Sequence, residues 1–158
     1  MPQIDNKPLA SLLITALTLG IGSALLPHEK PKKFECKILI ENPHISTFIL
    51  KNQDKEALKI NLKTECVTEQ KSATVWVELL RKDKGSAFSI YKFNPVTQNR
   101  DMSPYVIEFK GIFKYCDNKL SNNYFALARS QIQLKNGKME NPKGISIISA
   151  PIKCGFKI

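Results

Sequence analysis

Apolar and polar residues alternate along most of the chain after residue 33, with the period of two that is typical of a β-strand with one buried face. The clearest example is the segment 58–63, LKINLK, in which every second residue is aliphatic. We predict no helix after residue 33. Strands are predicted at residues 34–40, 45–51, 58–66, 73–81, 87–93, 105–115, 124–134, 145–148 and 152–158. The pattern therefore predicts an all-β domain.

Turn signals separate these strands every 8–15 residues. Asp83-Lys84-Gly85 and Asn136-Gly137 are hairpin signals, because glycine readily adopts the positive φ that tight turns need. Residues 94–104 are polar and contain two prolines, which predicts a long loop, and Gly111 predicts a bulge or a close backbone approach within its strand. Frequent turns between short strands favour an antiparallel β-sandwich, with a closed barrel as the alternative.

The segment Leu9–Leu26 contains no charged residue and no proline. Its 18 residues would span about 27 Å as a helix, which is close to the hydrocarbon thickness of a bilayer. We predict that residues 1–26 are a signal peptide or a single transmembrane anchor helix. Residues 27–33 are predicted to form a charged, proline-containing tether, and residues 34–158 an extracytoplasmic β-sandwich domain.

Residues 1–26, which we call the leader, contain two patterns, one that favours cleavage and one that favours retention as an anchor. Gly20-Ile21-Gly22 has the small-x-small form that signal peptidase cleaves. Ala16, Gly20 and Ala24 recur every four residues on one helical face, where small side chains let a second membrane helix approach closely. Cleavage would release the domain, whereas retention would anchor it in a membrane.

The chain has four cysteines, Cys36, Cys66, Cys116 and Cys154, and none of them forms a CxxC pair. An even number of cysteines in a small domain predicts two disulfides made in an oxidising compartment. Zinc binding is not predicted, because no two of these residues have the close spacing of zinc ligands. Lysines after the leader favour a cytoplasmic domain. We give the cysteines more weight and predict a domain that is membrane-anchored outside the cytoplasm, or secreted. Four cysteines allow three pairings, and spacing alone does not choose among them.

The order of Cys66, Trp76 and Cys116, within 51 residues, resembles the immunoglobulin pattern, in which a tryptophan packs on a disulfide between two sheets. Lys114 stands where that family has a tyrosine, and alternation directs Trp76 away from the face of its neighbours. We therefore take from the resemblance a sandwich geometry and not membership of the family. With it, we predict a Cys66–Cys116 disulfide across the sheets and a Cys36–Cys154 disulfide between the first and last strands.

Charge is the strongest signal in the composition, with 24 basic and 14 acidic residues and a net charge of +10. Such a field favours anionic partners. However, 21 of the basic residues are lysine and only three are arginine, and they are scattered. Recognition of nucleic acid relies on the planar fork of arginine, so nucleic acid is not a predicted partner. The predicted partners are a membrane, through the N-terminal helix, and either a protein or an anionic surface.

Catalytic chemistry has little support in the sequence, and we predict no catalytic, cofactor-binding or metal-binding residue. The two histidines are His28 in the tether and His44 at a turn. No nucleophile elbow, zinc-protease, phosphate-loop or dinucleotide-binding motif is present. The second alternative, for which the sequence offers the least support, is an enzyme that uses His44 with a carboxylate.

Aromatic residues at strand ends near lysines suggest a binding surface. This predicted binding rim consists of Tyr91, Phe93, Tyr105 and Tyr124. Together these observations predict a non-catalytic, membrane-tethered or secreted β-sandwich that acts as a binding module or as an accessory subunit of a membrane complex. The alternative is a freely secreted cationic module that binds an anionic surface polymer or lipid.

Overall fold

A computed structural model of the chain describes residues 35–102 and 104–157, in which eleven strands and one short helix form. The leader, the Ala16, Gly20 and Ala24 face and the tether lie outside the described residues. The elements are β1 (Cys36–Ile40), β2 (His44–Ile45), α1 (Thr47–Gln53), β3 (Ala57–Cys66), β4 (Gln70–Asp83), β5 (Ser86–Lys92), β6 (Val96–Asn99), β7 (Val106–Tyr115), β8 (Asn118–Leu134), β9 (Met139–Glu140), β10 (Lys143–Ile145) and β11 (Ile152–Gly155).

The strands form two antiparallel sheets, one of which curls into a half-barrel. In the four-stranded sheet, β3 pairs with β1, β2 and β7. In the seven-stranded sheet, β4 pairs along almost its whole length with residues 123–134 of β8. One edge of β4 pairs with β5 and β6, and β8 pairs with β9, β10 and β11. The predicted, mostly antiparallel β architecture is confirmed.

Side chains from both sheets bury themselves in one shared core. Ile60 of β3 and Phe109 of β7 meet Val75 of β4 and Ile132 of β8 there, and all four are at most 1% exposed. β3 and β4 alternate buried and half-buried positions over most of their length, as the sequence pattern predicts. Burial of these aliphatic and aromatic side chains is the main force that holds the two sheets together.

Glycines close the predicted turns. Gly85 (φ 94°) ends the β4–β5 hairpin, and Gly137 (φ 85°) lies in the turn between β8 and β9. Gly111 also has a positive φ, of 96°, and the register between β3 and β7 shifts beside it. These backbone conformations favour glycine because it has no Cβ. The two predicted hairpins and the predicted bulge are confirmed.

The strand predicted at 145–148 is wrong, because β10 ends at Ile145. Two other predictions are also wrong, namely that no helix forms after residue 33 and that residues 94–104 form a loop throughout. Helix α1 replaces the strand predicted at 45–51, because Ser46 accepts a hydrogen bond from the Ile49 N–H (3.3 Å) as its N-cap and Asp54 ends it in the left-handed conformation. The long loop predicted at 94–104 contains β6, which is anchored along residues 72–75 of β4. In both places a local cap or a distant partner strand decides the structure against the hydrophobic pattern.

All four cysteines are disulfide-bonded, as predicted, but the predicted pairing is wrong. Cys36 lies directly opposite Cys66 on the neighbouring strands β1 and β3, with 4.1 Å between their Cα atoms. Cys116 follows β7 and bonds to Cys154 of β11, with a Cα–Cα distance of 5.0 Å. The second disulfide therefore links the two sheets, and the first cross-links neighbouring strands of one sheet, unlike the immunoglobulin arrangement.

At one end of the sheets, the buried side-chain amide of Gln70 hydrogen-bonds to two other segments of the chain. The Gln70 side chain is fully buried. Its Nε2 donates to the Tyr105 carbonyl (2.6 Å) and to the Thr64 carbonyl (3.2 Å), and its Oε1 accepts from the Thr64 hydroxyl (2.6 Å). Buried polar groups are tolerated when they are hydrogen-bonded in this way. Gln70 therefore fixes the start of β4 against the end of β3 and the residues before β7.

We expect Gln70→Leu to lower the free energy of unfolding by about 2 kcal/mol, because it leaves the partners of the amide buried without a hydrogen bond. The matched control is Gln131→Leu, on an exposed position of β8, which should change stability by less than about 0.5 kcal/mol. Urea unfolding of both variants measures the difference. Equal stabilities would mean that the amide network contributes nothing.

Candidate functional site

The single tryptophan of the chain lies on the outer face of the seven-stranded sheet. Trp76 is half-buried, whereas Val75 and Val77 on either side point into the core. Arg129 of β8 stands directly opposite Trp76 in the register, and its guanidinium carbon lies 5.0 Å from the centroid of the indole ring. The alternation of β4 therefore directs its large aromatic side chain away from the core and beneath a cation.

A groove of about 480 Å³ crosses the sheet at this position. It spans four strands, because β4 and β8 form its floor while the end of β5 and the start of β10 form its two sides. The Phe93 N–H donates to the Val77 carbonyl (3.0 Å), which holds the end of β5 against β4. The side chains that line the groove include Trp76, Glu78, Lys92, Phe93, Leu127, Arg129 and Lys143. We call this site the Trp76 groove.

The charge of the Trp76 groove is positive. Lys92, Arg129 and Lys143 contribute three cations, against the single carboxylate of Glu78. The Ser89 hydroxyl donates to that carboxylate. None of the three cations forms a salt bridge with another residue of the described ranges. Their charges are therefore available to a ligand, and a concave surface strengthens their combined field.

The chemistry of the Trp76 groove suits binding of an anion beside a flat or apolar group. The Arg129 guanidinium has the planar fork that pairs with carboxylate or phosphate oxygens, and the two lysines add point charges. The indole of Trp76 adds apolar ring surface beside the Arg129 guanidinium and one N–H donor. Such a combination recognises charge and shape.

Two of the four residues of the predicted binding rim, Tyr91 and Phe93, lie close together in the structure. Tyr91 and Phe93 contact each other edge to face, with 4.9 Å between ring centroids. The ammonium of Lys114, on β7, lies 4.3 Å from the Tyr91 centroid and 5.8 Å from the Phe156 centroid. Phe93 also lines the Trp76 groove. This cluster therefore joins the edge of one sheet to the other beside the groove.

The other two residues of the predicted rim lie elsewhere. Tyr124 is fully buried, and its hydroxyl donates to the Cys154 carbonyl. Burial raises the pKa of Tyr124 above its ordinary value, so the phenol keeps the proton that it donates. Tyr105 is 55% exposed but lies beside Gln70. Leu79, the partner of Tyr91, lies nine positions along β4 from Gln70, a distance of about 30 Å. The four residues do not form one rim.

His44 lies in β2, half-buried, opposite Lys59 of β3. Its Nδ1 is 2.9 Å from the Asn42 carbonyl oxygen, a contact that orients the ring locally. An enzyme that uses His44 with a carboxylate stays a prediction. Within residues 35–102 and 104–157, no three His, Cys, Asp or Glu side chains gather as a metal site.

The only helix among the described residues, α1, has seven residues. In that part of the chain, no helix combines the length and apolar character needed to cross a bilayer.

The Trp76 groove was not predicted from the sequence as a site. Alternation does predict that Trp76 faces away from its neighbours, and this part of the prediction is confirmed. The missing information is the register of β4 and β8, which brings Arg129 opposite Trp76, and the return of β10 beside β8, which adds Lys143. Trp76 and Arg129 are 53 positions apart and Arg129 and Lys143 are 14 apart, and no local pattern encodes either contact.

Comparisons with known proteins supply no further assignment for the groove or the fold. No protein-family model, no curated protein and no solved structure matches this chain.

Proposed function

We propose that this chain is an exported, non-catalytic β-sandwich binding module, and that its Trp76 groove binds an anionic group of a surface polymer or lipid. The observation that carries the proposal is the position of the Arg129 guanidinium, 5.0 Å from the centroid of the outward-facing Trp76 ring, in a groove that Lys92 and Lys143 also line. Two disulfides support export, because such bonds persist in oxidising compartments outside the cytosol.

Net charge supports the same ligand class. Among residues 35–158, 20 basic residues outnumber 12 acidic ones. Most of the acidic side chains are already engaged: seven of the twelve form salt bridges. The excess cations of the Trp76 groove are not neutralised in this way. A ligand that brings negative charge to the groove therefore gains attraction without displacing an internal ion pair.

Because Trp76 is the single tryptophan, intrinsic fluorescence reports on the groove directly. We expect polygalacturonate to change the fluorescence of the full-length chain, reconstituted in neutral phosphatidylcholine vesicles, in a saturable way at low salt. Neutral dextran should have no effect. Raising the salt above about 0.15 M, where the Debye length falls to about 8 Å, should weaken binding. Binding that does not weaken as the salt concentration rises, or an equal fluorescence response to dextran, would contradict the proposal.

Charge-neutralising variants locate the binding. We expect Lys92→Gln with Lys143→Gln to weaken polygalacturonate binding about tenfold, which corresponds to about 1.4 kcal/mol. The matched control is Lys59→Gln with Lys153→Gln, which removes the same charge from β3 and β11, outside the groove. It should change the affinity less than about threefold, through the general field alone. Equal losses in both variants would show diffuse attraction and no groove site.

A further inference from the structure

Six strands begin or end at one end of the domain, where Glu35 leads into β1. Cys36 of β1 lies opposite Cys66 at the end of β3, and Gln70 at the start of β4 lies opposite Leu134 at the end of β8. β6 ends here and β7 begins here. We call this end the entry end, and it consists of residues 35, 67–69, 104–105 and 135–138.

Backbone hydrogen bonds hold these segments in place. The Val67 N–H donates to the Glu35 carbonyl (3.0 Å), and the Lys135 N–H donates to the Glu69 carbonyl (2.9 Å). The Tyr105 carbonyl, just before β7, accepts from the last residue of β3 at 3.0 Å. The entry end is therefore one continuous surface, fixed to the residue through which the chain enters β1.

The entry end carries one aliphatic and one aromatic side chain that are open to solvent. Val67 is 76% exposed and Tyr105 is 55% exposed. Both line a shallow depression of about 390 Å³, together with Thr68, Glu69, Lys135 and Asn136. The two charged residues of this depression pair with each other, since the Lys135 ammonium lies 2.6 Å from the Glu69 carboxylate. Tyrosine suits a boundary between lipid and water, because its ring is apolar and its hydroxyl is polar.

We propose that the entry end lies against the lipid bilayer in which the leader is anchored, with Val67 and Tyr105 inserted among the lipid head groups. The inference rests on the proposed function, in which the chain is exported and the Trp76 groove stays open, and it adds retention of Leu9–Leu26 as an anchor. Nine positions separate Leu26 from Glu35, and a proline-containing segment of that length spans about 28 Å when it is extended. A retained anchor therefore keeps Glu35, and Val67 beside it, close to the bilayer.

The length of the domain argues against docking through its opposite end. Tyr115, at the end of β7, lies ten positions from Tyr105, which is about 33 Å along an antiparallel strand. The segment between Leu26 and Glu35 is shorter than this distance. It cannot place Tyr115 on the bilayer while Glu35 stands at the far side of the domain.

The outer face of the seven-stranded sheet is the other possible contact. It carries Ile145, which is 65% exposed opposite Leu127 of the Trp76 groove. Docking through this face would cover the groove that the proposed function requires to be open. Trp76 lies six positions from Gln70 along β4, or about 20 Å from the entry end. Docking through the entry end therefore leaves the groove accessible to a ligand.

The test places one indole at the entry end and measures its quenching by lipid. The full-length chain with Trp76→Phe and Tyr105→Trp is reconstituted in vesicles of phosphatidylcholine that carries bromine on its acyl chains. We expect the brominated lipid to quench this indole equally at low salt and above about 0.15 M, because the contact is apolar. Adding Val67→Ser should shift the ratio of docked to undocked domain about tenfold toward the undocked form, because the lipid loses an apolar side chain that it buries.

Two matched variants carry the indole at the other surfaces, again with Trp76→Phe. Tyr115→Trp reports on the opposite end of β7, where Tyr115 is 40% exposed, and Ile145→Trp reports on the outer face. Neither indole should be quenched. Quenching of either one as strongly as that of Tyr105→Trp would contradict docking through the entry end.

Failure of this proposal is distinguishable from failure of the proposed function. An unquenched Tyr105→Trp indole, while the chain with Trp76 intact still responds to polygalacturonate, would overturn the docking and leave the groove as a binding site. A chain that does not float with the vesicles would contradict the anchor on which the docking depends. A dimer that Val67→Ser abolishes, without quenching by lipid, would make the entry end a self-association surface and would also contradict the proposal.

Discussion

Replacing Cys116 and Cys154 together by alanine is expected to lower the free energy of unfolding by about 4 kcal/mol. Their disulfide closes a loop with a sequence separation of 38 residues and links β7 of one sheet to β11 of the other. In the chain-entropy model, a loop of that length restricts the unfolded chain by about this amount. Urea unfolding followed by Trp76 fluorescence measures the loss.

A second double variant distinguishes the observed disulfides from the pairing that the immunoglobulin resemblance implies. Cys66→Ala with Cys116→Ala removes one cysteine from each observed disulfide. It should therefore lose both cross-links and about 7 kcal/mol or more in the same model, which exceeds the stability of many small domains. If this variant kept one disulfide while Cys116→Ala with Cys154→Ala lost both, the observed connectivity would be contradicted.

The second large effect is expected from Phe109→Ala, which should lower the free energy of unfolding by about 3–5 kcal/mol. Phe109 is 1% exposed and belongs to the core shared by both sheets. Removing its ring loses the transfer free energy of the buried atoms and leaves a cavity that the paired strands cannot fill by collapsing. Thermal or urea unfolding of the disulfide-intact variant provides the measurement.

Phe48→Ala is the matched control for this variant. Phe48 lies on α1 with 69% of its surface exposed, so its loss should change stability by less than about 0.5 kcal/mol. Similar losses for both phenylalanines would mean that the two-sheet core does not dominate the stability of the domain.

The parts of the fold that the sequence predicts are those governed by local rules. Alternation at Leu58, Ile60 and Leu62 gives the buried face of β3, and the positive-φ glycines Gly85 and Gly137 mark their turns. The same rule places Trp76 outside the core. It could also have placed Tyr124 inside, because Tyr124 is in phase with the small and aliphatic inward residues of β8.

The parts that escaped prediction depend on which strands become neighbours. Cys36 bonds to Cys66 because β1 and β3 pair with these two residues opposite each other. No local sequence pattern around either cysteine predicts that pairing. The Trp76 groove depends in the same way on the register that places Arg129 opposite Trp76. Helix α1 is a different case, because the cap at Ser46 outweighs a short apolar pattern that fits strand or helix equally well.

Hydroxyl-radical footprinting of the full-length chain, with and without saturating polygalacturonate, tests the central claim most directly, since it maps where side chains lose contact with water. The account predicts that Trp76 and Leu127, which line the groove, become protected. Phe48 and Met102, which are 69% and 93% exposed outside it, should react at the same rate in both samples. Protection of Phe48 or Met102 with no change at Trp76 would place the ligand elsewhere and contradict the assignment of the groove as the binding site.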